Sequence, residues 1–332
     1  MKRILGILVL FAVVYLATWI MADLMTGRQS FLSGFNQENL LRRTALFGIL
    51  GIGVAFVIIT GGIDLSIGSM VCLVGVGVPW CVTELNWPVW LTLAAALALS
   101  VGIGFFHGTL ITKLRLPPFI VTLCGLLMYR GFTRGFTHDQ TAGFGTGHKG
   151  LRLLAQGEVP VPFLDNFGIP VPFLLMIVVA AAAAVFLNKT IHGRYLQALG
   201  NNEEAARLSG IPTDRMIVLS YVICSTLSGL GGLLFVLEVN LAQPVDAGNF
   251  FELFAIAAAV LGGCSLRGGS GTILGVIIGT ALIQLLRNMI TIVFSDIQNM
   301  EYAIIGVVLL VGVVADELVR RSAARRRAAR AA

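Results

Sequence analysis

Ten stretches of this chain are apolar over roughly the length that crosses a bilayer, and that repetition leaves little choice of fold. A helix needs ~20 apolar residues to cross ~30 Å of hydrocarbon. The stretches are 4–22, 44–61, 66–83, 89–112, 119–136, 171–188, 216–238, 251–264, 271–294 and 302–319, with 251–264 the shortest. Only 12% of the residues are charged, against roughly 25% in soluble domains. The expected fold is all-α: one polytopic membrane bundle of about ten transmembrane helices, spanning 1–332 as a single domain. The start, Met1-Lys2-Arg3 followed by Ile4 to Ala22, mimics a signal peptide. Its apolar run exceeds the ~7–15 residues of an h-region and no A-x-A site follows, so a retained first helix is expected.

Basic residues set the orientation. With the N-terminus inside, the inner segments carry 15 lysines and arginines and the outer segments 5. The inner set comprises Lys2, Arg3, Lys113, Arg115, Lys189, Arg194, Arg207, Arg215, Arg267 and six tail arginines at 320, 321, 325, 326, 327 and 330. The outer set is Arg28, Arg42, Arg43, Lys149 and Arg152. This asymmetry puts both termini in the cytoplasm. The net charge of +6 then reads as topology and attraction to anionic lipid, not as nucleic-acid binding. Cys72, Cys81, Cys124, Cys224 and Cys264 form no C-x-x-C pair and read as small buried hydrophobes.

One polar stretch interrupts this pattern on the inner side: Asn188 to Arg215, between two membrane-length segments. Its middle reads as a helix of about two turns. Asn201 or Asn202 can cap its start, and Glu203 and Glu204 suit the positive end of the dipole. Gly210 can end it and Pro212 forbids continuation. So short a helix is marginal alone in water and is expected to pack against the protein or a partner.

Two glycine-rich breaks resemble each other, GGIDLSIGSM from Gly61 and GGCSLRGGSG from Gly262. Paired breaks point to internal duplication and to a translocation site. In the first, Asp64 is costly beside a membrane segment, and reads either as N-cap of the following helix or as pathway lining. His107 reads as a packing histidine or a proton relay. Arg130 and Arg134 read as snorkelling groups or as ligands for substrate hydroxyls. The outer segment 137–170, with Gly143, Gly145, Gly147, Gly150, Pro160 and Pro162, is long enough to hold structure of its own and to meet an external partner. Its GFGTGHKG run lacks the spacing of a phosphate loop. No nucleotide motif, H-E-x-x-H or G-x-S-x-G occurs, and the four histidines lack metal-ligand spacing; no catalytic or metal residues are expected.

Four stretches resemble the permease subunits of bacterial ABC sugar importers, the ribose/xylose/rhamnose-type group of the branched-chain amino acid permease superfamily. They are ITGGIDLSIGS (Ile59–Ser69), LPPFIVTL (Leu116–Leu123) with Arg130-Gly131, HGRYLQALGNNEEAARLSGI (His192–Ile211) and GGCSLRGGSGT (Gly262–Thr272). Glu204-Ala205-Ala206 followed by Gly210 matches the EAA-x-x-x-G pattern, which in that family marks the helix that couples to the ATPase. The resemblance implies coupling through Gly200, Asn202, Glu203, Glu204, Ala205, Ala206 and Gly210, and a pathway touching Asp64, Ser66, Phe119 and Arg130. It implies ABC ATPase subunits that bind ATP, an extracytoplasmic sugar-binding protein, a second permease copy, no cofactor in this chain, and a multi-pass place in the bacterial plasma membrane. The family often has Asn-Gly where this chain has His107-Gly108, and Gly in place of Cys124. A permease for nucleosides or branched-chain amino acids and an ion-coupled secondary transporter are the alternatives; Asp64 and the glycine breaks motivate the latter.

Overall fold

The computed structural model describes residues 2–26, 31–162, 167–294, 300–307, 310 and 314. The chain is a helical membrane bundle. Its helices are α1 (Lys2–Thr26), α2 (Gly34–Ile59), α3 (Ile67–Thr83), α4 (Val89–Lys113), α5 (Pro118–Thr137), α6 (Lys149–Gln156), α7 (Val171–Lys189), α8 (Ile191–Asn201), α9 (Glu203–Leu208), α10 (Thr213–Val239), α11 (Phe251–Leu261) and α12 (Ile273–Val293), and 301–307 are also helical.

Six of these are long and apolar enough to span: α1, α2, α4, α7, α10 and α12. Among the described residues that makes six of the expected ten. The 17 residues of α3 and the 11 of α11 fall short; at 1.5 Å per residue α11 covers only about 16 Å. The 20 residues of α5 have the length, but Tyr129, Arg130 and Arg134 lower its hydropathy. Most of 302–319, and the six tail arginines, lie outside the described residues.

The axial element is α2. It is buried almost without a break from Thr44 to Ile59 and packs on α7, α10, α11 and α12. Lipid supplies no hydrophobic force between helices, so their association rests on close packing at small residues. At Gly48 a Cβ would lie 2.4 Å from Met176 Sδ of α7. Where α4 crosses α10, Cβ atoms at Gly104 and Gly108 would lie 2.5 Å from Val222 Cα and Val218 Cα. By contrast α1 packs on α12 and leaves most of its surface outward, as a lipid-facing span does.

The outer segment does have structure of its own. Strand β1 (Ala142–Gly143) pairs antiparallel with β4 (Leu241–Ala242), and β2 (Glu158–Pro160) with β3 (Gly168–Pro170). Arg42 donates to Ala155 O at 2.8 Å and pairs with Glu158, locking α6 and β2 to α2. The cysteines are free, and they do not share one environment. Cys72, Cys224 and Cys264 are buried, Cys81 is half-buried, and Cys124 is exposed. The last corrects the expectation of burial: Cys124 shares the outward surface of α5 with Phe119, Ile120, Leu127 and Met128.

Candidate functional site

The polar stretch 188–215 folds as two helices. The first, α8, escapes the sequence reading. Its signals are present: Thr190 Oγ1 accepts the Gly193 N–H at 3.1 Å, and Leu196 and Leu199 turn one face inward. The second, α9, has the expected ends. Asn202 Oδ1 accepts the Ala205 N–H at 2.9 Å, and Glu203 and Glu204 occupy the first turn. Gly210 takes φ +82°, a left-handed value that Gly adopts without a Cβ penalty. Around it Ile211 N–H reaches Ala206 O at 3.1 Å and Gly210 N–H reaches Arg207 O at 3.0 Å, the paired bonds of a Schellman end.

This small helix is anchored on one side and open on the other. Ala206 is buried. Glu203, Glu204, Arg207 and Leu208 face outward, and Leu208 is 85% exposed. Arg207 pairs with Glu203 at 2.9 Å and with Asp214 at 3.5 Å, and Lys113 at the end of α4 pairs with Asp214 at 3.3 Å. Such exposed pairs contribute only ~0–1 kcal/mol each. The caps fix the helix more than its charges do.

Gly200 has a different place from the rest of the set. It ends α8 in backbone contact with both glycine breaks. A Cβ there would lie 1.8 Å from Ile59 O and 2.4 Å from Gly269 N. Gly269 N–H donates to Ile59 O at 2.9 Å, and Asn201 Nδ2 reaches Gly269 O at 3.5 Å. Gly268 and Gly269 hold φ +84° and +75°, which lets that turn fold back onto Gly200. The two breaks that look alike in sequence therefore meet in space, at the middle of the polar loop.

Five residues beyond Ile59 lies Asp64, buried together with Ser66. Asp64 Oδ1 accepts the Ser66 N–H at 2.8 Å and the Ser66 hydroxyl at 2.6 Å. Met70 N–H donates to Ser66 O at 2.8 Å. Asp64 thus holds Ser66 in the capping position of α3 without being the cap itself. His107 is buried, with Nε2 2.7 Å from the Tyr129 hydroxyl and Nδ1 without a partner among the described residues. Tyr221 and Thr122 both donate to Ile63 O at 3.3 Å.

The other two pathway candidates do not join this cluster. Phe119 is exposed in the first turn of α5. Arg130 donates to Val245 O and Ala247 O, each at 3.1 Å, and to Pro244 O at 3.4 Å. It holds the turn before α11, which neither snorkelling nor hydroxyl binding anticipates. Arg134 pairs with Asp139 at 2.7 Å. Arg130→Met therefore raises amide exchange across 244–250 about tenfold, since each lost charge-assisted bond is worth ~1.5–3 kcal/mol. Exchange mass spectrometry in detergent checks this; unchanged protection there contradicts the role.

Glu252 is the acid that sequence reading passes over. It is buried, and a Cβ at Gly68 would fall 2.2 Å from its Oε2. The signal is its position inside the apolar stretch 251–264.

Membrane-length helices packed through glycines, with one polar excursion braced against breaks in the spans, define a multi-pass membrane permease. The chain belongs to the family described as branched-chain amino acid transport system / permease component, which it matches over residues 36–313. It is 35% identical to the ribose import permease protein RbsC of Escherichia coli K12 over 315 residues, covering 95% of this chain and 92% of that protein. The ribose import permease protein of Bacillus subtilis 168 is 38% identical over 288 residues, 86% of each chain. The xylose transport system permease protein XylH of Escherichia coli K12 is 31% identical over 363 residues, 93% of this chain and 90% of that one. No solved structure matches the chain.

Proposed function

We infer that this chain is the membrane-spanning permease subunit of an ABC importer for a monosaccharide, of the pentose class that its relatives' names specify. The observation that carries the coupling role is α9: a helix capped at both ends, seated through Ala206, with Leu208 presented outward. In this reading an ATPase encoded separately grips α9 on the cytoplasmic face and hydrolyses the ATP. A binding protein delivers sugar to the face that carries α6, β1 and β4. A second permease copy, identical or related, completes the pathway, and the bacterial plasma membrane houses the assembly. The permease performs no chemistry. It supplies two packings of different stability, between which ATP binding shifts the population.

The buried pair Asp64 and Glu252 favours a second reading, an ion-driven carrier working alone. It is the weaker one, because Asp64 already spends one oxygen on Ser66 and Glu252 is packed against the Gly68 backbone. Reconstitution separates the two. Vesicles holding permease, ATPase and binding protein are expected to take up ribose or xylose only with ATP, and a proton or sodium gradient across vesicles holding the permease alone is expected to drive none. Leu208→Asp and Glu204→Lys are each expected to lower ATP-driven uptake at least about tenfold with normal accumulation, as loss of an interface anchor does. Normal uptake by both variants removes α9 from the coupling role.

A further inference from the structure

The face that carries α9 opens into a cavity of 570 Å³, within the ~300–1,000 Å³ span of small-molecule pockets. Four segments wall it: the α2 end and the break after it, the last turn of α4 with the turn that leads to α5, α9, and the first turns of α10. Its polar lining is mixed in sign. Arg115 and Arg207 bring guanidinium donors, while Glu203 and Asp214 bring carboxylate acceptors. Thr60 and Thr112 bring hydroxyls whose protons are already given to Val57 O and Gly108 O, each at 2.8 Å, so both present lone pairs.

The lining discriminates between ligand classes. An anion meets Glu203 and Asp214; a cation meets Arg115 and Arg207. A polyhydroxylated neutral molecule offers a donor and an acceptor at every hydroxyl and can satisfy both sets at once. Arg115 strengthens the case. Among the described residues it has no ion pair, and it sits in the turn at φ +53°, a conformation unusual for a residue with a side chain. It is the cation of the lining that is free for a ligand; Arg207 is engaged by Glu203, Asp214 and Thr213.

We propose that this cavity is a cytoplasmic binding site for a monosaccharide, through which imported sugar restrains its own uptake. The proposal rests on the coupling role inferred for α9. Glu203 and Arg207 belong to α9, whereas Arg115 and Thr112 belong to α4 and the turn after it. A sugar bridging them ties α9 to a transmembrane helix. Ligand binding that favours one placement of α9 must, by linkage, oppose any step that requires another. Accumulated sugar then slows ATP hydrolysis, and uptake is matched to whatever sugar-consuming reaction, such as phosphorylation, clears the cytoplasm.

Two measurements test it. In the first, labelled D-ribose or D-xylose is titrated against the purified permease without its ATPase. Saturable binding is expected, weakened about tenfold by Arg115→Ala, as loss of one charge-assisted hydrogen bond implies. Thr112→Val, nearly isosteric, is expected to weaken it less and guards against misfolding of the first variant. In the second, permease–ATPase complexes are placed in vesicles with the ATPase outside, and sugar is added on that side. ATP hydrolysis is expected to slow severalfold in the natural protein and to resist sugar in Arg115→Ala. If D-ribose 5-phosphate binds tighter than ribose, the mixed-charge argument for a neutral sugar fails and the proposal is overturned. A complex that takes up pentose with ATP yet binds neither sugar nor sugar phosphate at this face, or whose ATP hydrolysis is indifferent to them, overturns the proposal and leaves the importer reading intact. Absence of ATP-driven uptake overturns the importer reading itself.

Discussion

Gly200→Ala is expected to cut ATP-driven uptake at least about tenfold while the protein still reaches the membrane. The added methyl has nowhere to go. It meets Ile59 O at 1.8 Å and Gly269 N at 2.4 Å, and both are backbone atoms that no rotamer change can move aside. Overpacking of this kind costs ~1–3 kcal/mol, and ~1.4 kcal/mol on one step of a cycle is a factor of ten in rate. The strain falls on the bond from Gly269 N–H to Ile59 O, the link between the two breaks. Ile59 is the last residue of α2; within the spans α2 packs on α7 at Gly48 and on α10 at Gly53, away from this methyl, so insertion persists. Gly131→Ala is the control, because a Cβ there has nothing within 4 Å. The assay pairs uptake with membrane abundance and with amide exchange at Gly269. Natural uptake by Gly200→Ala at natural abundance removes the junction from the path between α9 and the spans.

What could be read from the chain, and what could not, divides by the range of the interactions. The ends of α9 were legible because a cap is local. Asn202 acts on Ala205 three residues away, and Gly210 and Ile211 close on Arg207 and Ala206. The bundle class was legible because ten apolar stretches admit few other folds. The length of each helix was not, since Phe251–Leu261 and Ile67–Thr83 are apolar without being long. The junction was only half legible. The likeness of 61–70 and 262–271 is visible, yet nothing local says that Ile59, Gly200 and Gly269 share one point. Glu252 was passed over for the same reason: its neighbour Gly68 is remote in sequence. Arg130 misled because its partners are carbonyls, and a carbonyl carries no residue-type signature.

Asp64 provides the second large effect, and the choice of replacement decides what it means. Asp64→Ala leaves two buried donors, the Ser66 N–H and hydroxyl, without their acceptor. Each orphaned donor costs ~1–3 kcal/mol. Against this, removing a carboxylate from the bundle interior returns some of the ~2.5–3.5 kcal/mol that insertion scales assign to a central Asp. If the two terms were of equal size they would cancel and the alanine variant would accumulate normally. The geometry weights the donors, because both bonds converge on Oδ1 and hold the first turn of α3, whose Met70 N–H depends on Ser66 O. Asp64→Ala is therefore expected to lose most of its membrane abundance. Asp64→Asn keeps an oxygen for Ser66 and sheds the charge, and is expected to accumulate like the natural protein. Uptake by Asp64→Asn then assigns the carboxylate's remaining role. Retained uptake means that Asp64 serves the turn. An abundant, stable and inactive Asp64→Asn means that the carboxylate is itself part of the path the sugar takes.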